Sequence, residues 1–539
     1  MTSVWLNNAM LILKNAHIRT LDSHNPAADA LAIEPLSGRV AAVGRETDII
    51  GELGHRAQIE DLQGAHILPG LTDAHLHLRT YAHNLKKLNL NGKSKADIVE
   101  AVAERVRASQ PGTWIEGHGW AQADWADAAF PTAADLDQIS LENPVYLTAV
   151  SLHAAWCNGA ALKAAGLTHN TPDPAHGSFG RDVDGRPNGM LFESAMEVVS
   201  AAIPRPSLED DAAMIGAAQH ELWELGLTGV HDFDRQASFR ALQSLRREDQ
   251  LRLRVHKHLP VKSLDAISES GLVSGFGDEW LWLGAIKAFA DGALGPRTAA
   301  MLAPYEGEPD NTGMLFLDRE ELFEMGRKAA LAGFPMTVHA IGDRANHETL
   351  AAFAQLRDEE RANRLPHLRH RVEHAQIVHP DDFAKFKQLD VIASVQPIHT
   401  TSDMHMADKH WGDRAQFSYA WRTLSDGGAR LAFGSDAPVD TPNPFVGMHA
   451  AITRQRADGN PGKEGWFPDQ RLTLDEALAG YTSGAAYAAG REHDLGRLAR
   501  GTCADLIVLP EDIYMINPEE LRHVRPDKVM VGGAWVLPT

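Results

Sequence analysis

Eight short apolar runs, spread from residue 70 to residue 438, limit what this chain can fold into more than any other feature. They are GLTDAHLHL (70–78), LTGVHDF (227–233), LRVHKHL (253–259), GAIKAFADG (284–292), PMTVHAIGD (335–343), HRVEHAQ (370–376), VIASVQP (391–397) and LAFGSDAP (431–438). Each is short and apolar with polar or turn residues at its end, which reads as a buried strand. Several are separated by helical patterns such as DDAAMIGAAQHELWELG and DREELFEMGRKAALAG. Strands alternating with helices predict a parallel sheet, and eight is the number that closes a (β/α)8 barrel.

Both ends of the chain read differently. LILKNAHIRTLD, ALAIEPLSGRVAAVG and AQIEDLQGAHILPG near the start, and ADLIVLPEDIYMINPEELRHVRPDKVMVGGAWVL near the end, are strand-like, with Gly532-Gly533 as a hairpin turn. The expected fold is therefore α/β: a TIM-like (β/α)8 barrel over 67–479, with a small composite β-sandwich domain from 1–66 and 480–539. Residues 79–212 lie between the first two strands, far more than a usual βα loop holds, and are expected to form an inserted subdomain.

Nearly every barrel run ends in a polar or ionisable side chain: His75 and His77, His231 and Asp232, His258, Lys287, His339, His374, Gln396, Asp436. The C-terminal strand ends of such a barrel are its catalytic face. In a strand His75 and His77 share one face, and two neutral imidazoles side by side suit a divalent metal such as zinc. Taken alone, two solvated histidines explain the pair as well. Together with Lys287, His339, His374 and Asp436 it becomes a constellation of nitrogen and oxygen donors.

Composition narrows the function classes. The formal net charge is −21, spread along the chain, which argues against nucleic acid or an anionic membrane as partner. Two distant cysteines, Cys157 and Cys503, exclude a disulfide framework and a thiolate zinc site. The run Ala9–Leu13 is short and follows no basic leader, so no signal peptide or membrane span is expected and a cytoplasmic location is the default. The expected partner is a small-molecule substrate; homo-oligomerisation stays open.

The motifs LPGLTDAHLHL, IKAFADGALGPRTA, VHAIGDRA, RVEHAQ and FGSDAPV resemble the metal-dependent amidohydrolase superfamily. GHGWAQADW (117–125), SLHAAWCN (151–158) and GRPNGMLFE (185–193) are similar to its large branch that includes N-substituted formamide deformylases. The resemblance implies one or two zinc ions held by His75, His77, Lys287, His339, His374 and Asp436, with a carboxylated Lys287 as bridge. It implies hydrolysis of C–N bonds in non-peptide amides, formamides or related compounds by a metal-activated hydroxide, with Asp436 moving the proton. An ester, lactone or carbamate hydrolase with the same site, and a non-catalytic metal-binding or scaffold protein, are the alternatives.

Further candidates lie outside the ligand set. His153 is placed to bond a developing oxyanion, or is a loop histidine. Glu193 and Arg297 are candidates to orient substrate, with a salt bridge or cap as the plainer reading. Trp120, beside His118, Trp125 and Trp156, suggests an aromatic lid over an apolar substituent, although core packing accounts for tryptophans too. His231, Asp232 and His258 are expected to support the ligands.

Overall fold

The computed structural model describes residues 9–122, 125, 129–149 and 153–538. Part of the Ala/Asp-rich stretch 121–137 and the first two residues of SLHAAWCN lie outside the described residues. The chain divides into two compact units, one comprising 1–81 with 211–539 and the other Ala82–Asp210.

All eight expected runs form strands of one parallel sheet in the first unit. They are β1 (Leu71–Leu76), β2 (Leu227–Asp232), β3 (Arg254–Pro260), β4 (Leu281–Phe289), β5 (Met336–Ala340), β6 (Arg371–His374), β7 (Ile392–Val395) and β8 (Arg430–Phe433). Neighbours in space follow chain order, as in a TIM-like barrel. β4, LWLGAIKAF, is buried at every position but the last, since a parallel strand is covered on both faces.

β8 and β1 meet just past the end of β8. The Asp436 amide donates to His75 O at 2.7 Å and the His77 amide to Ala437 O at 2.8 Å. The buried Asp73 carboxylate spans the same seam, accepting the amides of His75 at 3.0 Å and Ser435 at 3.1 Å. Gly434 is required there: a Cβ at this position would lie 2.4 Å from His75 N.

Two sheets from both chain ends enclose a shared core. One has four strands in the order Arg39–Gly44, Ala30–Glu34, Met10–Lys14, Ala57–Asp61; the other has six, Ala534–Leu537, Lys528–Val531, Leu506–Leu509, His66–Pro69, His17–Arg19, Ala27–Ala28. Leu13, Ile18, Leu31, Ile33, Ile67, Leu506, Val508 and Met530 fill the space between them. Gly532 and Gly533 turn the last hairpin with φ of 57° and 75°, values that favour glycine. The expected boundary at 480 is too early. Ala485 and Ala488 pack against Ala74, Ile392 and Ala432 of the barrel, and the sandwich core resumes only at Leu498. Similarly, His66–Pro69 belongs to the sandwich sheet as one strand, so the boundary at 66 cuts through an element.

The second unit carries its own six-stranded sheet, in the order Gly177–Arg181, Pro187–Glu193, Ala154–Cys157, Val145–Ala149, Ile115–Trp120, Leu88–Asn89. Among the described residues no helix is long and apolar enough to cross a membrane.

Candidate metal centre

His75, on β1, and His77, one residue past its end, both bring Nε2 close to Asp436. His75 Nε2 is 3.6 Å and His77 Nε2 3.4 Å from Asp436 Oδ1, and the donor atoms of these three residues all lie within 4.8 Å of one another. Asp436 has φ 59° and His374 φ 75°. Left-handed backbone at non-glycine residues is uncommon and concentrates at functional sites. The ring of His374 stands between its neighbours, 4.9 Å from His75 and 4.5 Å from His339 between centroids. Parallel pairing sets this arrangement, with Phe289 opposite His339 and Ala340 opposite His374.

Three imidazoles have one nitrogen committed to an oxygen. His75 Nδ1 donates to Glu373 Oε2 at 2.6 Å, His374 Nδ1 to Gln396 Oε1 at 2.8 Å, and His339 Nε2 to Gly292 O at 2.9 Å. The nitrogen that donates carries the proton, so the other presents a lone pair. His77 Nδ1 is 3.4 Å from Asp234 Oδ1, and Asp234 is itself fixed by the amide and hydroxyl of Thr80, both at 2.9 Å.

Burial depresses His75 to about 4 and, with the Lys287 charge, His339 to about 3; it also holds His374 well below its ordinary value. Burial works against a charged His77 as well, but its bonds to Asp234 and Asp436 outweigh it and lift the group to about 9. Asp436 stays well below the usual carboxylate range despite burial, chiefly through its bond to His77. Burial lowers Lys287 to about 8. Among the described residues its Nζ has no hydrogen-bond partner, and it lies 4.9 Å and 4.8 Å from the rings of Phe233 and Phe289. Phe233 also stacks on His75, with centroids 3.9 Å apart.

Residues 58–537 match the model of the amidohydrolase family. The chain belongs to that family. It is similar to "Protein LONG AFTER FAR-RED 3" of Arabidopsis thaliana, 33% identical over 93% of this chain and 87% of that one. It is 27% identical to the N-substituted formamide deformylase of Arthrobacter pascens over 97% of both chains. A solved structure described as an uncharacterized metal-dependent hydrolase from Pyrococcus furiosus superposes with a TM-score of 0.77 at 31% identity, covering 93% of this chain and 99% of that one.

In this amidohydrolase the residues expected around the ligands have mixed fates. Asp232 is buried against Lys257 Nζ at 2.8 Å and accepts the amides of Leu78 and Asp234 at 3.0 and 3.1 Å, so it ties together the loops after β1 and β2. His231 and His258 lie inside the barrel. His153 and Glu193 belong to the second unit, where Nδ1 and Oε2 pair at 3.0 Å with both side chains mostly exposed. Arg297, in the loop after β4, pairs with Glu308 at 2.6 Å, the plainer of its two readings. The lid reading of Trp120 is corrected. Its side chain is fully buried in the core of the second unit with Trp125 and Trp156, and its indole N–H donates to Leu147 O at 2.8 Å.

Glu373 with Arg371 behind it, Asp234 and Gln396 contact the ligands, and of these only Gln396 stands out in the sequence, as a strand-end residue. The readable signal for the first two is RVE at 371–373, two charges at i and i+2 inside a strand, which point to the same face.

Proposed function

We propose that this amidohydrolase is a zinc-dependent hydrolase of C–N bonds in small non-peptide amides, N-substituted formamides among them. The observation that carries the reading is the convergence of His75, His77 and Asp436 within 4.8 Å, beside two imidazoles whose lone pairs are set by their partners. His75 as a neutral nitrogen and Asp436 as an anionic oxygen are donors of the kind a borderline divalent ion takes, and His77 joins them once a bound ion displaces its proton. The deformylase of Arthrobacter pascens supports the choice of bond and of formamides.

Lys287 fits the same site. A buried ammonium without a partner is costly, and a group lowered to about 8 is partly neutral near pH 7–8. The neutral Nζ attacks the carbon of CO2 and releases a proton, leaving a carbamate whose oxygens replace a cation by an anion. His75, His77 and Asp436 would then hold one ion, His339 and His374 another, with the Lys287 carbamate shared between them.

When bound, the metal polarises the substrate carbonyl and lowers the pKa of a water from about 15.7 towards about 7. The Asp436 carboxylate accepts a proton as the water attacks and delivers it to the departing nitrogen. His75, His339 and His374 keep their protons on the nitrogens that face Glu373, Gly292 and Gln396. Zinc-loaded protein assayed on N-substituted formamides and matched formate esters should release amine and formate from the amides faster than formate from the esters. Ester preference would move the reading to an esterase; metal binding without turnover on either series would overturn it.

A further inference from the structure

A second group of histidines fills the barrel interior: His231 on β2, and His256 and His258 on β3. They are 1%, 4% and 1% exposed, and their ring centroids are 4.6–5.9 Å apart. Their donor atoms lie within 4.8 Å of one another, which by spacing alone is a metal site. Its surroundings are wrong for a cation. Arg371 Nη1 is 2.9 Å from His231 Nδ1 and 3.5 Å from His258 Nε2, and a guanidinium stays charged in proteins. No carboxylate is part of the group, and His258 Nδ1 already accepts the Ala285 amide at 3.0 Å. A divalent ion would meet the guanidinium with only neutral imidazoles as ligands, because the nearby anion, Glu373, is paired with Arg371 and His75.

What these imidazoles do is receive the arginine. Burial keeps all three well below their ordinary pKa, hence neutral, and the His231 Nδ1 lone pair accepts from Arg371. The rest of the guanidinium is equally committed. Nη2 donates to Ala74 O at 2.9 Å, Ser394 Oγ at 2.8 Å and Glu373 Oε2 at 3.2 Å, while Nε makes an ion-pair contact with Glu373 Oε1 at 2.8 Å without a hydrogen bond. Glu373 is wholly buried, takes the Thr337 hydroxyl on Oε1, and accepts His75 Nδ1 on Oε2 at 2.6 Å.

We propose that His231, Arg371 and Glu373 form a positioning chain that fixes His75 with Nε2 towards the metal, and that the interior histidines are a socket for Arg371 and not a second metal site. The inference rests on the metal-centre reading above. A carboxylate behind a ligating histidine fixes its tautomer and raises its basicity, and losing such a partner typically costs about 10–100-fold in metal affinity.

The test measures Zn2+ affinity of the metal-free full chain by competition with a chromogenic chelator, alongside circular dichroism and thermal unfolding. Glu373→Gln should raise the Kd by about 10–100-fold in protein that remains folded. Thr337→Val, a milder change that removes one donor to Glu373, should shift it the same way by less, and it carries the test if Glu373→Gln does not fold. Glu360→Gln is the matched control. Glu360 makes the same kind of buried contact, to His370 at 2.9 Å and Arg357 at 2.6 Å, away from the ligands. It should lower the melting temperature and leave the Kd unchanged. His256→Gln should leave zinc stoichiometry unchanged. Wild-type affinity in folded Glu373→Gln, or equal weakening in Glu373→Gln and Glu360→Gln, overturns the positioning chain. Loss of one zinc equivalent in His256→Gln overturns the socket. A wild-type chain that binds no zinc overturns the metal centre itself, a result distinct from the others.

Discussion

Lys287 sets chemistry against burial, with its nitrogen among apolar rings and, among the described residues, no hydrogen-bond partner. Lys287→Ala should lower zinc content and turnover together, as read by elemental analysis and a formamide assay. High acetate or propionate should recover part of both by occupying the vacated anion position. Full activity after acid and chelator treatment with zinc alone in CO2-free buffer, on a lysine of unmodified mass, would remove the carbamate from the mechanism. Asp436→Asn keeps the shape and deletes the base, so kcat should fall by about 10² or more, the usual weight of a positioned proton carrier; near-normal kcat with metal retained would exclude it. The six ligand candidates were legible because each ends an apolar run. Arg371 and Glu373 were not, because charged residues are read as exposed by default, and only the partner of each explains why it is inside.

At the scale of elements, the barrel strands were legible because parallel strands covered on both faces leave continuous apolar runs. The strands of the inserted unit were less so: Val145–Ala149 and Ala154–Cys157 are short, and their pairing order follows no pattern in the sequence. The helix Leu474–Ala479 offers a pH prediction. Glu476 closes its capping box with Thr473 and grips Arg422, which with the cap holds the carboxyl at about 2 against an ordinary 4.5. A depressed carboxylate stabilises the fold above its unfolded pKa and loses that contribution as the pH falls through its folded one. Stability contributed by Glu476 should therefore be complete above about pH 4.5 and decline towards pH 2, and Glu476→Gln should flatten that part of the acid-unfolding curve. An unchanged acid limb would mean the pair is fully screened by solvent.

At the scale of the whole molecule, the second unit has its own sheet and its own tryptophan core, so its stability is open to measurement separately from chemistry. Trp120→Ala should cost about 3–5 kcal/mol, the usual range for emptying a buried aromatic site, and KM for small and bulky substrates should move alike. A rise confined to bulky substrates with unchanged stability would return Trp120 to the substrate. The sandwich has a different consequence, one that belongs to synthesis. His66–Pro69 pairs with Leu506–Leu509, so a strand made early waits for one made late. At about 5–20 residues per second that wait is roughly 20–90 s. Throughout it, Leu13, Ile18, Leu31 and Ile67 lack the Leu506, Val508 and Met530 side chains that cover them in the finished protein. A nascent chain stalled before residue 506 should therefore present a sticky apolar sheet to chaperones, while one stalled beyond the last hairpin should not.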